Sequence, residues 1–320
     1  MLSRVLVTGA NGFIGKSLCK EMLRQKRQVI ATVRSAYQFF PDLEFITMGL
    51  IDSETNWSEA LHDVNVVIHL AAKVHVMCDD MVTSREEFHK VNVNSTLNLA
   101  NQAIKVGVQR FIYLSSIKVN GEQTFPQQYF TEMDIPKPYG PYATSKWNAE
   151  QGLMELARET GLEVVIIRPP LVYGPGVKAN FRTMMQWLHK GIPLPLGAIH
   201  NKRSLVALDN LVDLIITCLD HPAAANQVFL AGDGEDLSTP ALLRRLGLAM
   251  GKPARLLPVP VSLLKAAAAL LGKRDMAQRL CKSLQVDISK ARTLLGWNPP
   301  INVDEGLRRT AQAFLASVTK

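Results

Sequence analysis

A tyrosine and a lysine four positions apart are the residues of this sequence best suited to proton transfer. Tyr142 and Lys146 lie in the run YATSK, and residues 150–160 continue it with helical character. Positions i and i+4 of a helix share one face, so we expect the ammonium to lower the phenol pKa from about 10. Such a phenol exchanges a proton with a hydroxyl or carbonyl group near neutral pH.

Two serines follow a predicted strand at residues 111–114. Ser115 and Ser116 lie where ligands bind in a doubly wound sheet, outside the carboxyl ends of the strands. A serine there donates a hydrogen bond to the oxygen that the tyrosine protonates. The alternative is ordinary turn chemistry at the end of a strand.

Three glycines with a spacing of three residues follow the first predicted strand. Gly9 permits a tight turn, Gly12 lets the backbone approach a pyrophosphate, and Gly15 lets helix and strand pack closely. The following helix presents unpaired N–H groups to phosphates. The pattern predicts a dinucleotide site, and the alternative is a glycine turn that only packs.

The residue after the second predicted strand indicates which dinucleotide is bound. NAD sites usually have an acidic residue here, whereas this strand ends at Val33 and continues with Arg34 and Ser35. A guanidinium suits a ribose 2′-phosphate, so we favour NADP(H), with NAD(H) possible. The alternative for Arg34 is a solvated surface arginine.

These residues need a scaffold of alternating strands and helices, and the apolar runs supply one. Short apolar runs throughout residues 5–167 are separated by helix-like segments, which predicts an α/β fold with a Rossmann-like, doubly wound parallel sheet. We expect residues 1–172 to form the NAD(P)-binding domain, with 205–232 returning to it. Residues 173–320 are expected to form mainly a smaller C-terminal substrate-binding lobe.

Composition narrows the class of protein. The chain has 320 residues, 47% of them hydrophobic, which excludes disorder as the main state. Its four cysteines have no metal-ligand spacing, and no signal peptide is apparent, so we expect a cytoplasmic protein. We predict no metal site, and we predict that His69 is a packed core histidine.

The basic surplus and one long apolar run need separate interpretation. The net charge is +8, without an arm or stripe of basic residues interleaved with aromatics, so nucleic acid is not expected as a partner. We attribute the surplus to binding of phosphorylated small molecules. The apolar run 256–272 is interrupted by Pro258, Pro260 and Lys265, which favours a buried or interface helix over a membrane span.

Taken together, the motifs resemble those of the extended short-chain dehydrogenases/reductases, the nucleotide-sugar epimerase, dehydratase and reductase group. The resemblance covers nearly the whole chain. The matching segments are TGANGFIG (8–15), VIHLAA (67–72), VNVNSTLNLA (91–100), YLSS (113–116), YATSK (142–146), RPPLVYGPG (168–176), RSLVALDNL (203–211) and LGWNPP (295–300).

The resemblance implies roles for individual residues. Aligned on Val119, Ser116 takes the place of the catalytic Ser/Thr, beside Tyr142 and Lys146. Besides the glycines, Arg34, Tyr142 and Lys146, the implied cofactor contacts are Asn11, Phe13, Ile14, Asp52, Leu70, Ala71, Ala72, Lys73, Asn92, Pro169 and Leu171. The implied substrate contacts are Ser115, Ser116, Asn180, Arg203, Arg279 and Lys282. A homodimer through the helices that begin near Asn92 and Ser145 is also implied.

The resemblance leaves the reaction to be chosen. Dehydratases of the group carry Thr-Asp-Glu after the fifth strand, where this chain has Ser116, Ile117 and Lys118, so dehydration is disfavoured. HVM (75–77) and SLQVD (283–287) resemble bacterial reductases of surface-polysaccharide biosynthesis, which predicts NAD(P)H-dependent reduction of carbon 4 of a UDP-4-keto-6-deoxy-N-acetylhexosamine. The alternative is an NAD-dependent UDP-hexose 4-epimerase, and a nonenzymatic redox sensor is a third class.

Overall fold

A computed structural model gives the fold and describes residues 4–35, 40–74, 81–270, 272, 278 and 280–318. The HVM run at 75–77 and Arg279 lie outside these residues. In the described part of the chain, no helix is long and apolar enough to cross a membrane.

A sheet of parallel strands forms the centre of the first half of the chain. Its strands are β1 (Val5–Thr8), β2 (Val29–Val33), β3 (Glu44–Thr47), β4 (Val66–His69), β5 (Arg110–Leu114), β6 (Glu163–Arg168) and β9 (Gln227–Leu230). They lie side by side in the order β3-β2-β1-β4-β5-β6-β9. The order reverses direction beside β1, as in a doubly wound sheet, so the predicted fold class is confirmed.

Helices cover both faces of this sheet. The described helices are α1 (Phe13–Arg24), α2 (Met81–His89), α3 (Ser95–Lys105), α4 (Gly140–Thr160), α5 (Ala179–His189), α6 (Leu208–Asp220), α7 (Thr239–Ala249), α8 (Val261–Leu270), α9 (Ser289–Leu295) and α10 (Val303–Val318). Side chains alternate between the faces along each strand. Val5 and Val7 therefore pack with α1 and α6, whereas Leu6 packs with α3 and α4.

A second, smaller sheet contributes to the C-terminal part. It consists of β7 (Leu171–Tyr173), β8 (Arg203–Ala207) and β10 (Asp236–Leu237), in the order β10-β8-β7. One face of this small sheet packs with the helices α5, α7 and α10, and together they enclose a separate apolar core that includes Phe181, Leu243 and Leu307.

The return of the chain to the main sheet differs from expectation. Residues 205–207 belong to β8 and pair with β7 in the small sheet, whereas α6 packs beside α1 and β9 joins β6 in the main sheet. Along β8, Leu205 and Ala207 face the C-terminal core and Val206 faces the main core. When a strand is buried on both faces, its apolar sequence does not indicate which of two sheets the strand joins.

Two helix predictions also need correction. The helix expected from Asn92 starts as a π-helical turn, Lys90–Asn94, and continues as α3. The run 256–272, expected to form a buried or interface helix, contains α8, none of whose residues is buried, so only the first alternative is wrong. Apolar composition alone therefore did not determine burial there.

Candidate active site

The glycine-rich turn packs so tightly that side chains would not fit. Gly9 has φ of +68°, and a Cβ there would lie 2.8 Å from the backbone nitrogen of Ala71. A Cβ on Gly15 would lie 2.4 Å from the Gly9 carbonyl oxygen. The Gly12 N–H donates to that same carbonyl at 2.9 Å. The turn therefore brings bare backbone to the carboxyl edge of β1 and β4.

The first turn of α1 has free capacity for an anion. Gly12 is its N-cap and provides no side-chain cap, while Phe13 and Ile14 begin the helix. Asn11 is partly exposed just before it. Uncapped N–H groups at a helix N-terminus suit a pyrophosphate. This cradle fits the dinucleotide that the sequence predicts.

Arg34 and Asp52 lie beside the outer strands of the sheet. Arg34 directly follows β2 and is exposed. Asp52 accepts hydrogen bonds from the Glu54 N–H at 2.9 Å and the Thr55 hydroxyl at 3.1 Å. These bonds lower the pKa of Asp52. The carboxylate also lines a groove of about 410 Å³ next to β3, so it remains available to a ligand there.

The chain after β4 is held in place by Asn92. Leu70, Ala71, Ala72 and Lys73 follow the strand, and the Lys73 N–H donates to Asn92 Oδ1 at 2.8 Å. Asn92 Nδ2 donates to the Lys73 carbonyl and to Ser145 Oγ, both at 3.0 Å. The Lys73 ammonium pairs with Glu87 of α2. Asn92 thus joins the end of β4 to the helix that carries the tyrosine.

His69 is buried at the end of β4, as predicted for a core histidine. Its Nδ1 lies 2.7 Å from Thr8 Oγ1 and its Nε2 lies 3.0 Å from Thr96 Oγ1. Burial, with the nearby charge of Lys146 as a smaller cause, lowers its pKa from 6.5 to about 3. Among the described residues, no three His, Cys, Asp or Glu side chains form a group that could hold a metal ion.

The side chain of Lys146 extends from α4 to the carboxyl end of β5. Its Nζ donates to the Leu114 carbonyl at 2.8 Å and lies 4.4 Å from the centre of the Tyr113 ring. Burial lowers its pKa from 10.5 to about 7, and the nearby carboxylate of Glu150 opposes that shift. The ammonium is therefore anchored by strand backbone rather than by solvent.

The pKa of Tyr142 departs from expectation. Its ring meets the edge of Phe88, and Lys118 Nζ lies 5.7 Å from its centre. Burial raises the pKa of the phenol from 10.0 to about 12, so the predicted lowering is wrong. Helical spacing does bring Tyr142 and Lys146 to the same end of α4, but desolvation outweighs the attraction of the ammonium.

The two serines after β5 face different environments. Ser116 is partly exposed and caps the short 3₁₀ turn Ile117–Val119, where its Oγ accepts from the Lys118 N–H at 3.3 Å. Ser115 is buried, and its hydroxyl donates to Glu150. Ser115 therefore directs its hydroxyl proton to Glu150, and its contact with the substrate stays a prediction.

Glu150 belongs to a buried ion pair that the sequence reading missed. Arg168, the last residue of β6, donates to both oxygens of Glu150, with Nε–Oε1 and Nε–Oε2 distances of 3.0 and 3.2 Å. Arg168 Nη1 donates to Asn120 Oδ1 at 3.0 Å. One signal was present: Glu150 stands four residues after Lys146, on the same helix face.

The remaining predicted contacts lie after β6 and in the C-terminal part. The Pro169 carbonyl accepts from the Ile117 N–H at 3.0 Å, and Leu171 begins β7 with an exposed side chain. Asn180 is exposed on α5. All three therefore lie on segments that continue from the carboxyl edge of the main sheet.

Arg203 and Lys282 lie next to each other. Arg203 Nη1 donates to the Lys282 carbonyl at 3.4 Å, and Lys282 Nζ lies 3.6 Å from Glu122 Oε2. Burial lowers the pKa of Arg203. Two cations predicted to contact the substrate are thus brought together from separate parts of the chain.

Comparisons with known proteins agree with this arrangement. Residues 5–232 match the NAD dependent epimerase/dehydratase family. A UDP-glucose 4-epimerase of Vibrio cholerae is 48% identical over 317 residues, which are 98% of this chain and 96% of that protein.

Solved structures share the fold. A UDP-glucuronic acid 4-epimerase from Bacillus cereus in complex with NAD has a TM-score of 0.78 at 22% identity, covering 97% of this chain and 96% of that one. A UDP-N-acetylglucosamine 4-epimerase from Bacillus cereus has a TM-score of 0.79 at 22% identity, covering 98% and 99%. The sequence match and the glycine cradle lead to one conclusion: this chain is a member of the NAD dependent epimerase/dehydratase family.

Proposed function

We propose that this protein is a nucleotide-sugar 4-epimerase that inverts carbon 4 of a UDP-hexose. The observation that carries the proposal is that Lys146 donates to the Leu114 carbonyl at the end of β5, directly before the serines, while Tyr142 stands one helical turn before Lys146 on α4. The name of the relative at 48% identity supports 4-epimerisation in particular. Of the two reactions that the sequence predicts, we therefore propose 4-epimerisation rather than reduction of a 4-keto sugar.

The cofactor fits the residues that are present. Its pyrophosphate would lie on the backbone of the turn at Gly9 and Gly12, where a Cβ would lie 2.8 Å from the Ala71 nitrogen at Gly9 and 3.0 Å from the Gly9 carbonyl oxygen at Gly12. Asn92 and Lys146 hold the segments that would receive the nicotinamide end. A bound nicotinamide supplies the acceptor and donor of hydride for carbon 4.

Tyr142 is the residue that exchanges a proton with the oxygen on carbon 4. Its raised pKa of about 12 keeps the phenol neutral at physiological pH, so it is ready to donate. Epimerisation begins with loss of the proton from the hydroxyl on carbon 4, which the phenolate form of Tyr142 would accept, and the positive charge of Lys146 stabilises that form. The neutral phenol formed in this step returns the proton when the ketone is reduced on its other face. The Ser116 hydroxyl donates to the same sugar oxygen and stabilises the charge that develops on it.

Residues of the C-terminal part are proposed to hold the UDP moiety. Arg203, whose guanidinium donates to the Lys282 backbone carbonyl, and Lys282 itself are proposed to bind the diphosphate, and Asn180 and Arg279 complete the proposed set. We further propose that residues 1–172, with α6 and β9 from the returning segment 205–232, form the cofactor-binding part and that 173–320 mainly bind the substrate. A cytoplasmic homodimer is proposed on the resemblance alone.

Reduction is the second candidate, and Arg34 favours it. An exposed guanidinium directly after β2 suits NADP(H), which exchanges with solvent, rather than a permanently held NAD. The substrate would be a UDP-4-keto-6-deoxy-N-acetylhexosamine of surface-polysaccharide biosynthesis. Dehydration is disfavoured because Ile117 is aliphatic and Lys118 cationic where dehydratases of the group carry an acid pair.

One assay separates the two candidates. The purified protein is incubated with UDP-glucose or UDP-N-acetylglucosamine without added cofactor, and the product is identified by NMR. Epimerisation supports the proposal. Stoichiometric oxidation of NADPH or NADH with the 4-keto sugar, without epimerisation, supports the reductase instead.

Replacing the proposed proton donor tests the site itself. In Tyr142→Phe we expect turnover to fall about 10²–10⁴-fold with nucleotide binding retained, because only the proton transfer is removed. Tyr139→Phe, at the exposed N-cap of α4, is the matched control and is expected to keep full activity. Full turnover in Tyr142→Phe would reject the assignment.

A further inference from the structure

The helix α8 turns an apolar face towards solvent. Eight of its ten residues are apolar, the exceptions being Ser262 and Lys265. Val261 and Leu264 pack against the C-terminal core, whereas the opposite side carries the exposed residues Leu263, Ala266, Ala267 and Leu270. Leu263 is 61% exposed and Leu270 is 90% exposed. We call these four residues the outward face.

An exposed apolar face of this kind indicates that another apolar surface, of a protein or of a lipid bilayer, covers it. The four residues stand at positions i, i+3, i+4 and i+7, so they form one continuous stripe along the helix. Contiguous exposed apolar surface is unfavourable in water and marks interaction sites. The side of α8 that packs on the core is a different one, so the helix does not need the outward face for folding.

The stretch of chain that leads into α8 and forms it is cationic. Residues 237–270 contain Arg244, Arg245, Lys252, Arg255 and Lys265, and they contain no aspartate or glutamate. Arg245 pairs with Glu235 and Asp304, but the other four cationic residues are exposed. Residues 173–320 hold 19 Lys/Arg and 10 Asp/Glu, whereas residues 1–172 hold 17 and 18. The basic surplus of the chain therefore belongs to the part that carries α8.

The apolar stripe and the basic residues together indicate which kind of partner covers the outward face. A second copy of the chain would bring an equally cationic segment against the first, and like charges repel. A nucleic acid would use the cations but not the apolar stripe. An anionic lipid surface uses both, because acyl chains accept the leucines and headgroups attract lysine and arginine. Ten residues of helix span only about 15 Å, so α8 would lie in the interface rather than cross the bilayer.

We propose that α8 is a membrane-surface helix, which lays its outward face on a bilayer containing anionic lipid. The proposal is independent of the reaction catalysed. It gives the basic surplus a second role besides the phosphorylated small molecules considered from the sequence. It also makes the protein peripheral to a membrane, with no spanning helix in the part of the chain that the structure describes.

Vesicle sedimentation tests the proposal on the full chain. Vesicles of phosphatidylcholine alone are compared with vesicles of phosphatidylcholine and phosphatidylglycerol at low and high salt. We expect binding to the anionic vesicles at low salt, with at least about tenfold weaker binding to phosphatidylcholine alone or at high salt. Equal binding to both lipids, or none to either, would overturn the proposal.

Matched double variants distinguish binding through α8 from nonspecific binding through any exposed apolar residue. Leu263→Asp with Leu270→Asp is expected to weaken binding to the anionic vesicles about tenfold or more. Val106→Asp with Ile135→Asp adds the same charge at other exposed apolar positions, 54% and 80% exposed, and is expected to bind like the unaltered protein. Equal losses in the two double variants would overturn the assignment to α8.

Two further measurements complete the test. Circular dichroism is expected to show the same helix content in both double variants, because all four positions are exposed. Light scattering without vesicles reports the oligomeric state. A dimer that becomes a monomer only in Leu263→Asp with Leu270→Asp would show that a second copy covers the outward face, which would overturn the membrane proposal.

Discussion

Lys146 is subject to two opposing influences on its pKa. Its ammonium is buried against the Tyr113 ring and the Leu114 carbonyl, which lowers the pKa to about 7, while Glu150 acts in the opposite direction. The neighbouring titratable groups are Tyr142 on the same helix and His69 on β4. The charged state of Lys146 near neutral pH therefore depends on the carboxylate of Glu150, which lies one helical turn away.

Removing that carboxylate tests the dependence. In Glu150→Gln we expect the pKa of Lys146 to fall, so that the loss of kcat/KM with rising pH begins at a lower pH than in the unaltered enzyme. The variant also leaves Arg168 unpaired, which costs about 3–5 kcal/mol of stability. The measurements are a pH–rate profile and thermal unfolding.

Arg168→Gln is the control for that experiment. It breaks the same ion pair and shares the loss of stability, but it leaves the negative charge beside Lys146. Its pH profile is not expected to move to lower pH. If both variants shift the profile in the same direction, Glu150 acts through structure alone.

Arg34 offers a test of cofactor choice at a single residue. Arg34→Ala is expected to weaken NADPH binding about tenfold or more and to leave NADH binding nearly unchanged, because only NADPH carries the 2′-phosphate. Fluorescence titration of both nucleotides measures this. Arg24→Ala, on the exposed end of α1, is the control. Equal effects on both nucleotides would contradict a 2′-phosphate contact.

Between secondary-structure elements, His69 connects β1, β4 and α3. Thr96 donates its hydroxyl proton to the Asn92 carbonyl at 2.8 Å, so it accepts from His69 Nε2–H. His69 Nδ1 then accepts from the Thr8 hydroxyl, whose oxygen accepts from the Ala71 N–H at 3.2 Å. One neutral tautomer thus links the glycine turn to the turn that carries Asn92.

This link predicts a pH dependence of stability. The folded protein excludes a proton from His69 down to about pH 3, whereas the unfolded chain binds one below about 6.5. The free energy of unfolding therefore falls as pH drops from about 6.5 to 3, by at most about 1.4 kcal/mol per pH unit from this group. Above pH 6.5 its contribution is constant.

The variant His69→Asn is expected to be less stable at pH 7 by about 1–3 kcal/mol but to lose stability less steeply on acidification. Denaturant unfolding at several pH values measures both effects. The exposed His62→Asn is the control and should keep the slope of the unaltered protein. An unchanged slope in His69→Asn would contradict the burial of a neutral imidazole.

At the scale of the whole molecule, residues 283–287 join the two parts of the site, and we call them the bridging segment. On one side the Phe130 N–H donates to the Gln285 carbonyl at 2.8 Å, next to the loop that leads to α4. On the other side the Val286 N–H donates to Ser204 Oγ of β8 at 2.9 Å. The segment follows Lys282 directly, so it carries that cation to Arg203.

We expect Ser204→Ala to loosen this connection. The change leaves the Val286 N–H without its acceptor and removes the donor to Asp236, which costs about 1–3 kcal/mol. The KM for the UDP-sugar should rise more than kcat falls, because Lys282 and Arg203 lie at the end of the segment. Steady-state kinetics and thermal unfolding measure the two effects.

Ser317→Ala near the C-terminus also removes a hydroxyl donor, to the Phe314 carbonyl, but is far from the bridging segment in the chain. It is expected to leave KM unchanged. A KM that is unchanged in Ser204→Ala as well would show that the substrate cations do not depend on the segment.

The sequence by itself determined the glycine turn, the shared helix end of Tyr142 and Lys146, and the alternation of strands and helices that is typical of a doubly wound sheet. Each of these rests on local spacing, since a three-residue glycine repeat or an i, i+4 pair has the same geometry wherever its turn or helix is placed. The family resemblance rests on the same short segments.

Only the tertiary structure decided which of the two serines is buried, in which direction burial moves the pKa of Tyr142, and which sheet receives β8. It also paired Glu150 with Arg168 and left the outward face of α8 exposed. These properties depend on which distant residues exclude water and which supply partners. Local spacing holds no record of such contacts, so long-range packing alone determined them.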